Sequence, residues 1–113
     1  SYNIAISACE KGGQWERALW MLVEVREERL QVDVSSYNAA ISACEKCKRW
    51  ERALGILAEL PENALEADAI SFNSAISACE TCGLWERAVG ILMNMREREV
   101  TPNVISYNAV ISA

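Results

Sequence analysis

A three-residue phrase, Ser-Tyr-Asn, recurs at a spacing of 35 residues and constrains the fold more than any other feature of the sequence. Its copies begin at Ser1, Ser36, Ser71 and Ser106, and the third has Phe72 in place of tyrosine. A fixed period of this length is typical of solenoids built from one repeated supersecondary unit. The 113 residues hold three periods and the start of a fourth, so we expect a piece of an array that continues at both ends.

Each period contains two stretches with helical spacing of apolar residues. In the second period, residues 35–46 place apolar side chains at i, i+3, i+4 and i+7, which predicts a helix. These are Tyr37, Ala40, Ile41 and Cys44. The same spacing restarts at the Trp-Glu-Arg-Ala phrase, with Trp50, Ala53, Leu54 and Leu57. We expect this second helix to end after Leu60, because Pro61 discourages continuation.

One helix pair cannot bury both of its apolar faces, so neighbouring pairs must stack and share a core. The sequence therefore predicts an all-α solenoid with repeats at 1–33, 34–68, 69–103 and 104–113, the first and last truncated. The first helices should line one surface and the second helices the other. No apolar run reaches the 18 or so residues that span a bilayer, so we expect a soluble chain without a membrane partner.

Charge and cysteine content narrow the function classes. A net charge of −5 argues against strong nonspecific attraction to a polyanion. Five cysteines give no closed disulfide framework and fit a reducing compartment. Cys44-x-x-Cys47 and Cys79-x-x-Cys82 resemble half-sites for zinc, but we expect them on separate helical units, with buried thiols and no metal. With no histidine and no glycine-rich phosphate loop, we predict neither enzyme activity nor a cofactor.

The unit opens Val-x-Ser-Tyr-Asn, continues x-Ala-Ile-Ser-Ala-Cys-x-Lys, and carries Trp-Glu-Arg-Ala-Leu in its second helix. It resembles the pentatricopeptide repeat family. The tetratricopeptide repeat differs, since its period is 34 residues and its tryptophan lies near the start of the first helix. The resemblance implies a right-handed superhelix, a monomer, and work on single-stranded RNA in mitochondria or plastids. Some members of the family carry a C-terminal domain that edits or cleaves RNA.

By resemblance, each repeat reads one base through two side chains. The first is the asparagine after the aromatic residue, and the second is the last residue of the repeat. The pairs are Asn3 with Asp33, Asn38 with Asp68, and Asn73 with Asn103, while Asn108 lacks a partner in this sequence. The family's code pairs Asn and Asp with uracil, and Asn and Asn with cytosine or uracil. The implied target is pyrimidine-rich, 5′-U-U-C/U-3′. The alternative is that Asp33, Asp68 and Asn103 only cap helices.

The resemblance also assigns residues that flank the base and contact phosphate. An aliphatic residue two before the aromatic sandwiches the base, which gives Ser35, Ile70 and Ile105; the alternative places the isoleucines in the interface core. Lys11 and Lys46 match the phosphate-contacting position, although a surface lysine is more often simply solvated. Sequence-selective RNA binding is thus the first hypothesis, and a protein-interaction scaffold without RNA readout is its rival.

Overall fold

The computed structural model describes residues 2–27, 33–62, 65–98, 100 and 111, with the backbone alone at 2–4, 26 and 62. These residues form six α-helices in three consecutive pairs, which confirms the predicted all-α architecture. The helices are α1 (Tyr2–Lys11), α2 (Trp15–Glu27), α3 (Val34–Lys46), α4 (Trp50–Glu62), α5 (Ala69–Thr81) and α6 (Trp85–Glu97). Within the described ranges, no helix is both long enough and apolar enough to cross a membrane.

The pairs stack through their first helices. Helix α3 packs against α1 on one side and α5 on the other. Each second helix lies against the first helix of its own pair, and α2 and α4 also lie against the first helix of the next pair, α3 and α5. The stacking of α1, α3 and α5 confirms the solenoid and sets equivalent residues of these three helices in a row.

The apolar face predicted for α3 forms the centre of the core. Tyr37, Ala40, Ile41 and Cys44 are all fully buried. In the second helices, the alanine three residues after each tryptophan is also fully buried, at Ala18, Ala53 and Ala88. Such small side chains allow close approach of neighbouring helix axes. Alanine at these positions therefore lets α2 and α4 pack closely between two first helices.

A tight turn of the same construction joins the two helices of every pair. In the second pair, Arg49 N donates to Cys44 O at 2.8 Å and Lys48 N donates to Glu45 O at 3.1 Å. This 6→1 and 5→2 pattern is a Schellman motif, which requires a residue in the left-handed conformation. Gly13 and Gly83 fill that position with φ +69°, whereas Lys48 adopts φ +58° with a side chain present.

An arginine of each following repeat covers the preceding tryptophan. The Arg49 guanidinium lies 5.0 Å from the ring centroid of Trp15, and that of Arg87 lies 5.1 Å from the centroid of Trp50. Cation–π contacts at this distance stabilise by about 0.5–1 kcal/mol where they are exposed. Trp15 and Trp50, which begin α2 and α4, thus also connect one repeat to the next.

Three local predictions were wrong by one turn or less. Helix α4 continues through Pro61 to Glu62, because a proline in the last turn costs one hydrogen bond and its φ suits a helix. Helix α3 begins at Val34, directly after its cap. Cys47 and Cys82 are C-cap residues, so the second cysteine of each pair lies just beyond the helix on which it was expected.

Candidate nucleic-acid interface

The second repeat brings together the two residues that were predicted to read one base. Asn38 lies in the first turns of α3, and Asp68 directly precedes α5 of the next repeat. Asn38 Nδ2 donates to Asp68 Oδ1 at 3.1 Å. Asn38 is 8% exposed and Asp68 is exposed. Thirty residues apart in sequence, the two side chains meet because α3 and α5 stack.

Asp68 also caps α5, so the capping alternative is correct as a description of its local role. Its carboxylate accepts from Ser71 N at 3.0 Å, and Ser71 Oγ accepts from Asp68 N at 3.2 Å, which completes a capping box. Burial alone would raise the pKa of Asp68, but hydrogen bonds from the Ser71 amide and the Asn38 side chain help to outweigh it and lower the pKa. Asp68 is therefore held as a carboxylate at neutral pH.

Asp33 has the equivalent position ahead of α3. It adopts an extended conformation and accepts from Ser36 N at 3.2 Å, so it caps its helix as Asp68 does. Its predicted partner, Asn3, has no described side chain. Asn73 lies half-buried on α5, and its predicted partner, Asn103, falls outside the described residues together with Asn108. The base-reading predictions for these pairs remain predictions.

The residues predicted to flank a base lie at the surface beside this pair. Ile70 is 63% exposed, so it does not belong to the interface core, as the alternative interpretation required. Ser35, at the same position of α3, is also exposed. Ile105 falls outside the described residues. A large exposed aliphatic side chain two residues after Asp68 offers an apolar face to a flat ligand.

The two lysines predicted to contact phosphate differ in their surroundings. Lys46 forms an ion pair with Glu10 of the preceding repeat and remains half-exposed. That hydrogen bond raises the pKa of Lys46. Lys11 is exposed. The surface around Lys46 is acidic, since Glu45 lies next to it. Burial raises the pKa of Glu45, and so do the carboxylates of Glu10 and Glu80, whereas Lys46 lowers it.

The cysteines pair with backbone rather than with one another. Cys47 Sγ donates to Gly13 O at 3.3 Å and Cys82 Sγ donates to Lys48 O at 3.6 Å, each across a repeat boundary. Burial raises the pKa of the Cys44 thiol to about 11, with a further contribution from Cys47. Such a thiol stays protonated and is a poor metal ligand. No cluster of three or more potential metal ligands occurs among the described residues.

Two contributors at this surface were missed by sequence reasoning. Ser71 contacts both members of the Asn38–Asp68 pair, and its Oγ donates to Asn38 Oδ1. The sequence does contain a signal for Ser71, because it is the serine of the recurring Ser-Tyr-Asn phrase. Glu10 was missed because a partner one repeat away, 36 residues distant, leaves no local pattern.

Comparison with solved structures finds the same fold in pentatricopeptide repeat proteins. The chain superposes on the pentatricopeptide repeat protein PPR10 in complex with an 18-nucleotide psaJ RNA element, with a TM-score of 0.86 and 27% identity over 97% of this chain. A variant of that complex with cysteines replaced by serine matches equally. PPR10 from maize matches with a TM-score of 0.87 at 23% identity, which shows the fold alone. The chain spans 16% of the length of these proteins.

Comparison with family profiles covers nearly the whole sequence. The profile of the pentatricopeptide repeat domain matches residues 21–81 and 55–113, and the profile of the single PPR repeat matches residues 1–30. A comparison with curated protein sequences returned no match. The profile matches extend across all three helix pairs, and the 35-residue repeat period agrees with them. The chain belongs to the pentatricopeptide repeat family.

Proposed function

We propose that this chain binds single-stranded RNA selectively, one base per repeat, with the core 5′-U-U-C/U-3′. The observation that carries the proposal is the hydrogen bond between Asn38 and Asp68 across a repeat boundary, at 3.1 Å. It joins the two side chains that the family uses to select a base. Asn38 with Asp68 corresponds to uracil, and Asn3 with Asp33 to the uracil before it; Asn73 with Asn103 corresponds to cytosine or uracil.

The chemistry of the pair suits a pyrimidine. An asparagine amide carries both donors and an acceptor, so it can match the Watson–Crick edge of uracil or cytosine. A carboxylate close to that edge favours a base with a donor at the ring nitrogen, which is uracil. The exposed Ile70 side chain supplies an apolar face against which a base can stack. Ser35 lacks such a face, so the contact with the base next to it is weaker.

Charge suggests how the RNA backbone is held. Lys11 contacts phosphate, and Lys46 does so when it exchanges Glu10 for the RNA backbone. With a net charge of −5 the chain lacks the broad positive surface that drives nonspecific binding. Affinity therefore depends on the bases more than on phosphates. The related PPR10 in complex with RNA supports RNA as the ligand. By family membership, the cellular role is processing, stabilisation or translation of RNA in mitochondria or plastids.

The rival function, a protein-interaction scaffold, is favoured by the acidic balance and by exposed apolar side chains on the second helices, such as Trp20 and Met93. One experiment separates the two functions. Each base held by stacking contributes about 1–3 kcal/mol, so before association costs three bases correspond to millimolar to micromolar binding at best. NMR titration of the chain with short oligonucleotides detects binding of that strength.

The titration compares an oligonucleotide containing U-U-C with one containing G-A-G in the same flanking sequence. We expect chemical-shift changes at Asn38 and Ile70 with the pyrimidine strand only. The variant Asn38→Thr, which leaves Asp68 in place, should move the preferred second base from U toward G and leave the first base unchanged. Equal binding of both strands, or of neither, would refute base reading and leave the scaffold as the better description.

A further inference from the structure

Ser71 lies between the two side chains proposed to read the second base, although it belongs to the following repeat. It is fully buried in the first turn of α5. Its hydroxyl accepts from Asp68 N at 3.2 Å, lies 3.0 Å from Asp68 Oδ1, and donates to Asn38 Oδ1. One hydroxyl thus contacts the backbone and carboxylate of Asp68 and the amide of Asn38.

These contacts define the orientation of the Asn38 amide. Its Nδ2 faces the Asp68 carboxylate, and its Oδ1 faces the Ser71 hydroxyl. Turning the amide over would point Oδ1 at a carboxylate oxygen, where both atoms are acceptors, and would remove the hydrogen bond that Ser71 Oγ donates to Oδ1. These hydrogen bonds therefore favour one orientation of the Asn38 amide. Without them, the positions of its donor Nδ2 and its acceptor Oδ1 could be exchanged.

We propose that Ser71 is a positioning residue that sets the base preference of the preceding repeat by fixing the Asn38 amide. The inference rests on the proposed function. Uracil presents a donor at N3 beside a carbonyl, whereas cytosine presents an acceptor at N3 beside an amino group. An amide held in one orientation matches one of these orders, and an amide free to turn over matches both. Ser71 therefore contributes to the choice between two pyrimidines without touching either.

The burial of Asn38 strengthens the dependence on Ser71. Asn38 is 8% exposed, so its amide has little access to water. If the Ser71 hydroxyl were removed, Asn38 Oδ1 would lose its donor and water could replace that donor only poorly. An unsatisfied buried acceptor is costly, and the side chain would move or turn to find another donor. Removing the hydroxyl should thus loosen the reading side chain itself as well as the cap of α5.

The test uses the variant Ser71→Ala with two short RNAs that differ only in U or C at the second base. NMR titration of the wild-type chain should give a lower Kd for U. In Ser71→Ala the ratio of the two Kd values should fall toward one, by about fivefold, the equivalent of one ordinary hydrogen bond. Ser36→Ala is the matched control, because Ser36 occupies the same position beside Asp33. It should leave discrimination at the second base unchanged.

The outcomes separate the two proposals. If the wild-type chain binds neither RNA, or both equally, the proposed function fails and takes this inference with it. If the wild-type chain prefers U and a folded Ser71→Ala variant keeps the same ratio, only the role of Ser71 is overturned. Should Ser71→Ala not fold by circular dichroism, Ser71→Cys keeps nearly the same volume with a weaker donor. It should show the same loss of discrimination, and retention of the wild-type ratio would again refute the role.

Discussion

Replacing Lys48 by glycine should stabilise the chain. Lys48 occupies the left-handed position of a Schellman turn at φ +58°, where the equivalent residues are Gly13 and Gly83. The left-handed conformation costs a residue with a Cβ roughly 1–2 kcal/mol. Glycine removes that cost but gains about 0.5–1 kcal/mol of freedom in the unfolded chain. The net stabilisation is therefore about 0.5–1 kcal/mol, and the turn's backbone hydrogen bonds remain.

The assay is chemical denaturation followed by circular dichroism, with Lys48→Ala as the control. Alanine removes the charge and keeps the Cβ, so its free energy of unfolding should stay close to wild type. The reciprocal variant Gly83→Ala should lose about 1 kcal/mol by strain alone, because an added Cβ there meets no atom within 4 Å. If Lys48→Gly proves no more stable than Lys48→Ala, conformational strain at this turn is not the reason for glycine in the other repeats.

Three further outcomes follow from the titrating groups. Because the pKa of Asp68 is lowered below its ordinary 3.8, its carboxylate stabilises the fold above that pH, and the stabilisation disappears as the pH falls through the lowered pKa. The difference in unfolding free energy between wild type and Asp68→Asn, measured from pH 7 to pH 2, should shrink on acidification; a constant difference would contradict the cap. Glu10→Gln should release Lys46 for phosphate, tighten RNA binding and steepen its dependence on salt by roughly 0.7 in log–log slope; an unchanged slope would argue against a phosphate contact. Alkylation at pH 8 followed by mass spectrometry should modify Cys47 before the buried Cys44, whose pKa is about 11, and the reverse order would show that Cys44 is accessible.

The fold could be predicted from the sequence because its signals are local and repeated. The buried set Tyr37, Ala40, Ile41 and Cys44 follows from helical spacing within eight residues, and three copies of the same spacing leave little doubt about the period. Pro61 was misplaced because a proline near a helix end has opposing effects, a lost hydrogen bond and a suitable φ. Which of these two effects is larger depends on the hydrogen bonds at the end of the helix. Here Leu65 N donates to Leu60 O at 2.9 Å.

The candidate site could be predicted only in part, because its contacts cross repeat boundaries. The positions of Asn38 and Asp68 followed from the family's phrase, and the stacking of α3 on α5 brings them within hydrogen-bonding distance. Two contacts depend on the rotamers that side chains adopt once the repeats have stacked, when each side chain has several partners within reach. They are the ion pair of Lys46 with Glu10 and the hydrogen bond of Ser71 with Asn38. Spacing along the chain contains no information about that choice, so both contacts emerge only from the structure.

The cap formed by Asp68 and its proposed base-reading role depend on the same carboxylate. The same carboxylate caps α5 through Ser71 N at 3.0 Å and holds Asn38 at 3.1 Å. Asparagine, aspartate, serine and threonine are the side chains that cap helices well. A repeat that changes its base preference by changing this residue therefore keeps its helix intact only within that small set. Asp33 caps α3 in the same way, and Asn103, the third residue of the series, is drawn from the same set. The substitutions that cost folding least at this position are thus also the ones that alter the donors and acceptors beside the asparagine. Under the proposed function, successive repeats could therefore differ in base preference without a change of fold.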